Sequence, residues 1–208
     1  MALASGLPVE SGVVVANKAA AIAVSKLGTA VVTRAELLES LARADIGPFP
    51  AGALATREQA VSIVEGWKAR GERVVFTNGC FDLLHPGHIA LIEASAHEGD
   101  RLVVGLNTDA SVRRLKGESR PLQDEEARAC VMGALRAVDL VVLFDEDTPL
   151  QLIEALKPDI LVKGADYKPE EVVGADFVIA HGGRLVLAEI IPGRSTTALV
   201  KKATTKTG

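Results

Sequence analysis

The chain has 208 residues, 48% of them hydrophobic but only 3% aromatic, and a formal net charge of −4. That length holds one full domain and an extra segment, and the acidic balance argues against a general nucleic-acid binder, whose phosphate contacts need a basic face. No apolar run approaches the ~20 residues of a membrane span, and Cys80 and Cys130 stand alone without a CxxC, which supports neither a disulfide framework nor a zinc site.

Residues 13–26 read as an Ala-rich helix. Residues 13–24 have the outline of an export signal, but Lys18 interrupts it and Glu10 stands where a basic region belongs, so the chain is read as cytoplasmic. A second short helix is predicted over 34–43. Ile46-Gly47-Pro48-Phe49-Pro50 opens a turn-rich linker over 46–56. The expected organisation is a separate segment over 1–45, that linker, one domain over 57–203 and a flexible tail over 204–208.

Thr56, with Gln59 three residues later, caps a predicted helix running to about Arg70. From there strands and helices alternate. Strands are predicted over 74–77, 102–106, 140–144, 160–162 and 185–190, with a weaker one over 177–180. Helices are predicted over 87–98, 124–134, 149–156 and 196–202. This pattern specifies an α/β fold, a Rossmann-like doubly wound parallel sheet with helices on both faces and right-handed crossovers. Ligands of such sheets bind beyond the carboxyl ends of the strands, and His85, Asn107, Lys163 and Arg194 all follow strand ends. Neither GxGxxG nor a Walker A motif is present, which counts against a dinucleotide enzyme or a P-loop ATPase.

The run Thr77-Asn78-Gly79-Cys80-Phe81-Asp82-Leu83-Leu84-His85-Pro86-Gly87-His88 joins a strand, a turn and a helix start. Pro86 suits the first helical position and makes His85 the expected N-cap. The first-turn N–H groups lack intrahelical partners and the helix dipole adds positive potential, so two imidazoles there suit a polyphosphate. A two-His metal site is the weaker reading, since no Cys lies near and HExxH is missing. A pair of plain capping histidines is the other.

Three further clusters follow strand ends. Asn107-Thr108-Asp109 leads to Lys116-Gly117-Glu118-Ser119-Arg120-Pro121, a basic loop that alone reads as solvated surface. Lys163-Gly164-Ala165-Asp166-Tyr167 offers a phosphate anchor and, in Asp166, an acceptor for a sugar hydroxyl; its plain alternative is a turn with a snorkelling Lys. Gly193-Arg194-Ser195-Thr196 is a helix start that serves equally as an N-cap or a phosphate site. Arg128, on the helix after the basic loop, reads by position alone as a surface residue.

The His85–His88 run resembles the HxGH signature of the nucleotidyltransferase (cytidylyltransferase-like) superfamily. With Lys116-Gly117, Ser119-Arg120-Pro121, the 163–167 run and Gly193-Arg194-Ser195-Thr196-Thr197, residues 57–202 are similar to the adenylyltransferase domain of bacterial heptose-phosphate enzymes. The resemblance implies ATP, Mg²⁺ carried mainly on its phosphates, and D-glycero-β-D-manno-heptose 1-phosphate as acceptor, giving ADP-heptose for lipopolysaccharide. It implies catalytic roles for His85, His88 and Lys116. Nucleotide binding would fall to Thr77, Asn78, Gly79, Phe81, Asp82 and Gly87 on one side, and to Lys163, Gly164, Asp166, Arg194, Ser195 and Thr196 on the other. Asn107, Asp109, Arg120 and Arg128 would bind the acceptor.

A CTP-dependent enzyme acting on glycerol 3-phosphate stays open, although its relatives favour a more acidic, Trp-bearing turn at 163–167. So does a module that binds nucleotide without turnover. Residues 16–32 resemble the carboxyl-terminal tail of a ribokinase-like sugar kinase, whose GAGD motif is absent, so kinase activity is not expected here. The expected partners are a small sugar phosphate, a second copy of the chain as a homodimer, and a separate or fused heptose kinase, with no nucleic acid and no membrane.

Overall fold

A computed structural model describes residues 54–165 and 167–189, with residues 16, 19 and 31–37 ahead of them. The chain divides into two compact units, Met1–Gly47 and Pro48–Gly208. In the first, residues 34–37 are helical, and Thr33 and Glu36 cap each other: Thr33 N donates to Glu36 Oε2 at 2.8 Å and Glu36 N to Thr33 Oγ1 at 3.3 Å. The predicted helix over 13–26 lies almost wholly outside the described residues, and so does the one over 196–202.

The second unit starts with β1 (Leu54–Ala55) and α1 (Arg57–Ala69). Thr56 and Gln59 close a capping box at the start of α1, which satisfies two N–H groups that the helix itself cannot. β2 (Val74–Gly79), α2 (Pro86–Ala96), β3 (Arg101–Asn107), α3 (Asp109–Lys116) and α4 (Glu125–Gly133) follow. Then come β4 (Leu140–Phe144), α5 (Leu150–Leu156), β5 (Ile160–Gly164), a 3₁₀ turn (Pro169–Glu171), α6 (Ala175–Ala180) and β6 (Arg184–Ala188).

The six strands form one parallel sheet in the order β1-β4-β3-β2-β5-β6. From β2 the chain winds outward through β3 and β4, then crosses to the other side of β2 for β5 and β6. This is the predicted doubly wound fold. Alternate residues supply two cores. Val74, Phe76 and Val103 meet Val64 and Trp67 of α1 and Leu152 and Ile153 of α5 on one face. Val75, Leu102 and Val104 meet Ile92 of α2 and Met132 of α4 on the other. Cover on both faces is why these strands read as unbroken apolar runs.

Three expectations need correction. The weak strand over 177–180 is helix α6, entered through Gly174 at φ 88 and burying Ala175 and Val178 against the sheet. Residues 109–116, where no helix is predicted, form α3, capped by Thr108 and showing the core only Ser111 and Val112. Leu54–Ala55, assigned to the linker, pairs with Val141 and Val142 of β4. No helix among the described residues is long and apolar enough to cross a membrane.

Candidate functional site

The carboxyl end of β2 is where the sheet opens. β2 pairs with β3 as far as Gly79 and Leu106, but with β5 only at Val75–Ile160 and Phe76–Leu161. A crevice therefore forms between β2 and β5, at the point where the winding reverses. After β2 the chain turns tightly, with Phe81 at φ 43. A Cβ on Gly79 would stand 3.1 Å from the Phe81 ring, so glycine makes room for that aromatic side chain.

The turn delivers His85 as N-cap of α2 and Pro86 as its first residue. His88 N donates to His85 O at 2.9 Å and, more weakly, to His85 Nδ1 at 3.3 Å. The two imidazoles stack with centroids 3.6 Å apart and planes inclined by 17°. Phe81 sets its ring against His88 edge-on, 5.2 Å away between centroids. Burial, then the neighbouring His85 charge, lowers the His88 pKa from 6.5 to about 4; a backbone hydrogen bond at Leu83 opposes this and the Lys116 charge adds to it. His88 is therefore neutral at pH 7, and its Nδ1 is buried with no hydrogen-bond partner.

A cavity of about 620 Å³ opens over these rings, a size suited to a nucleotide-scale ligand. It gathers His85, His88, Lys116 and Lys163, with Asn107 at the end of β3. Asn78, Gly79, Phe81, Asp82, Gly87 and Gly164 complete the predicted residues that line it. Lys163 is 9% exposed; its Nζ donates to Asn78 O at 3.2 Å and lies 5.4 Å from the centre of the Tyr167 ring. The Asn78 side-chain oxygen is buried without a partner.

Four predicted residues stand outside the cavity lining. Thr77 is fully buried in β2, its hydroxyl unpartnered. Arg120 is held by Asp82, 2.5 Å from Nη1 to Oδ2. Arg128 was expected to face the acceptor, and the structure turns it inward instead: its side chain is 0% exposed and donates to Asp109 Oδ1 at 2.7 Å, which occupies Asp109 as well. The four donors of Arg128 that are engaged all meet protein oxygens, so nothing directs it to the cavity. Asp166, Arg194, Ser195 and Thr196 lie outside the described residues.

Asp82 touches the cavity yet spends its carboxylate on the fold. Besides Arg120, it accepts from Leu122 N at 2.6 Å and Gln123 N at 3.2 Å. Burial pushes its pKa up, but these hydrogen bonds outweigh that and leave it lowered. Sequence reasoning missed Asp147, Thr148 and Pro149, which line the cavity from the end of β4. The strand-end rule that selected Asn107 and Lys163 points to them too. It also missed the apolar Leu115, Val172 and Val173 in the lining, which carry no polar signal.

A wider, more open groove of about 760 Å³ lies nearby, beyond β4. Apart from Glu58, the charges that line it are already paired: Arg57 with Glu146, and Arg114 with Asp145 and Asp147. Neither imidazole faces it. Chemistry therefore favours the smaller cavity. Among the described residues no three His, Cys, Asp or Glu side chains converge as a metal set.

A model of the cytidylyltransferase-like family matches residues 76–198. The bifunctional protein HldE of Azorhizobium caulinodans is 66% identical over 205 residues, which is 99% of this chain and 43% of the relative. HldE of Gluconobacter oxydans is 60% identical over 200 residues, 96% of this chain and 41% of its own length. The chain thus spans less than half the length of these curated relatives. The crystal structure of the lipopolysaccharide core biosynthesis protein from Thermoplasma volcanium GSS1 is 31% identical, covering 58% of this chain and 98% of that one, with a TM-score of 0.49.

Proposed function

The chain belongs to the cytidylyltransferase-like family and is a nucleotidyltransferase, and from that premise we propose that it joins ATP to D-glycero-β-D-manno-heptose 1-phosphate. The products are ADP-heptose, destined for the lipopolysaccharide core, and pyrophosphate. The observation that carries this reading is the stacked His85–His88 pair at the start of α2, inside a cavity that also holds Lys116 and Lys163. High identity to HldE proteins and the Lys163–Tyr167 run support the heptose branch.

The nucleophile is a phosphate oxygen of the sugar 1-phosphate, which attacks the α-phosphorus of ATP as pyrophosphate leaves from the opposite side. A phosphate monoester has a second pKa of about 6 and is mostly ionised at neutral pH, so the reaction needs no general base. The protein's task is alignment of two anions and neutralisation of the charge that builds between them. His88, neutral at rest, donates a hydrogen bond to the α-phosphoryl oxygens and gains basicity as negative charge approaches. His85 and the first-turn N–H groups of α2 hold the adjacent phosphates.

Lys116 bridges the incoming phosphate and the α-phosphate, and its exposed position at the end of α3 lets it meet a ligand entering from solvent. Lys163 anchors the nucleotide from β5. Arg194, Ser195 and Thr196 are assigned to the β and γ phosphates, and Asp166 to the ribose. The two imidazoles and two ammonium groups at the cavity suit phosphate oxygens, while its carboxylates Asp82, Asp147 and Glu171 are each paired with an Arg or a Lys. Mg²⁺ would therefore ride on the polyphosphate, where it screens charge. The protein would act in the cytoplasm as a homodimer, with the sugar 1-phosphate supplied by a kinase fused to it or separate.

Pyrophosphate release decides among the readings. ATP and CTP are each tested with the heptose 1-phosphate and with glycerol 3-phosphate. Turnover confined to ATP with the heptose phosphate is expected. Turnover with CTP and glycerol phosphate would keep the mechanism and replace the substrates. Nucleotide binding without release in any arm would make the chain a binding module.

A further inference from the structure

We infer that Arg128 is a positioning residue, a buried strut that sets the distance between the histidine-bearing turn and the lysine-bearing helix across the cavity. The inference rests on the function proposed above. Its geometry begins where the sheet ends. β2 and β3 stay in register through Gly79 and Leu106, and the following residues, Cys80 and Asn107, are no longer paired as strand neighbours. Arg128 Nη1 enters that gap and donates to both carbonyls, at 2.7 Å to Cys80 O and 2.8 Å to Asn107 O. One nitrogen thus replaces the rung that the separating strands have lost.

The remaining bonds reach the other side of the site. Nη2 donates to Asp109 Oδ1 at 2.7 Å, on the first residue of α3, and Nε to Gln123 O at 3.0 Å, where the chain returns after Lys116. Cys80 leads through Phe81 and Asp82 to His85, while α3 ends at Lys116. Every segment that Arg128 grips therefore carries, or flanks, a group assigned to the phosphates. Asp82 fastens the same two parts from the opposite direction through Arg120, Leu122 N and Gln123 N.

Four of the five guanidinium N–H donors are placed, and the planar fork fixes the angle between them. A Lys at this position keeps the charge but offers one nitrogen, which cannot span both sides. Arg128 touches no reacting atom, so it works through Lys116 and the histidines.

The test is a double-mutant cycle between Arg128→Lys and Lys116→Ala, read as pyrophosphate release well below the unfolding midpoint. Residues that act through one another give non-additive effects. Arg128→Lys is expected to lower kcat about tenfold or more in the wild-type background, and less than about threefold once Lys116 is gone. Equal losses in both backgrounds would overturn the inference, because a merely structural defect multiplies independently. Should Arg128→Lys fail to fold, Asp109→Asn removes the charge of a single partner and must show the same non-additivity on a smaller scale. Wild-type silence with every substrate would overturn the proposed function instead. Amide exchange then decides the positioning claim by itself: faster exchange at residues 80–84 and 117–123 in the variant supports it, and unchanged exchange there overturns it.

Discussion

Lys163 reaches across from β5 to give a hydrogen bond to the Asn78 carbonyl, 3.2 Å away, beyond the last residues at which their two strands are paired. The ammonium thereby sits at the mouth of the crevice, over the Tyr167 ring, instead of extending into solvent. Hydrogen bonds to charged groups are worth about 1.5–3 kcal/mol. Lys163→Met is therefore expected to weaken ATP binding roughly tenfold to a hundredfold by titration calorimetry. Unchanged affinity in a folded variant would reduce Lys163 to a brace between strands.

His88→Ala removes the imidazole assigned to the α-phosphoryl group in the transition state. The loss of one such donor costs about 10²–10³ in rate, while ATP affinity should move little. The measurement is single-turnover pyrophosphate release beside equilibrium binding. An active His88→Ala enzyme would remove the residue from the mechanism.

The low His88 pKa of about 4 has a signed consequence. Unfolded chains bind this proton near pH 6.5, so the stability that His88 contributes is complete above that pH. It drains away as pH falls from 6.5 towards 4. Thermal midpoints should fall across that window, with a shallower fall in His88→Asn. Nucleotide phosphates favour the protonated ring, so ATP binding near pH 6 should take up protons. Calorimetry in buffers of different ionisation enthalpy reads that uptake, and a zero value would contradict the placement of the phosphates.

Asp82→Ala would leave Arg120 and two backbone amides without their acceptor. Breaking a buried ion pair from one side is costly, here about 3 kcal/mol in urea unfolding. The pKa of Asp82 is held low, so its contribution is present above the usual carboxylate range and disappears as pH falls below it. A variant as stable as wild type would mean that the 117–123 segment is anchored by other groups.

Much of this architecture is written locally. Pro86 after His85 states where α2 begins, and Thr56 with Gln59 does the same for α1, because caps depend on neighbours in sequence. The apolar runs of β2, β3 and β4 announce buried strands. What failed to show depends on distant partners. Phe177, Val178 and Ile179 have strand-like composition, yet Val178 and Ala175 find their core as a helix. Residues 109–116 are the exception, because their helix signals are local: Thr108 as cap, Asp109 in the first turn and Arg113, Arg114 and Lys116 in the last. Arg128 looks like surface until the carbonyls of Cys80 and Asn107, remote in sequence, are seen beside it.

Gly105 tests the packing beneath the site. A Cβ there would fall 2.7 Å from Phe76 Cζ and 3.1 Å from the Asn78 Cβ. Gly105→Ala should destabilise by about 1–3 kcal/mol, the usual range for overpacking. The chemical-denaturation midpoint should shift accordingly, and a neutral result would show that Phe76 can swing aside.

The two residues of β1 carry a weight out of proportion to their length. Among the described residues they alone pair with the outer side of β4, at Val141 and Val142. A shortened form of this domain beginning after Ala55 would convert Leu140–Phe144 into a naked apolar edge, the kind of surface on which chains add to one another. Such a form would be expected to retain its catalytic groups and still be lost to aggregation during expression.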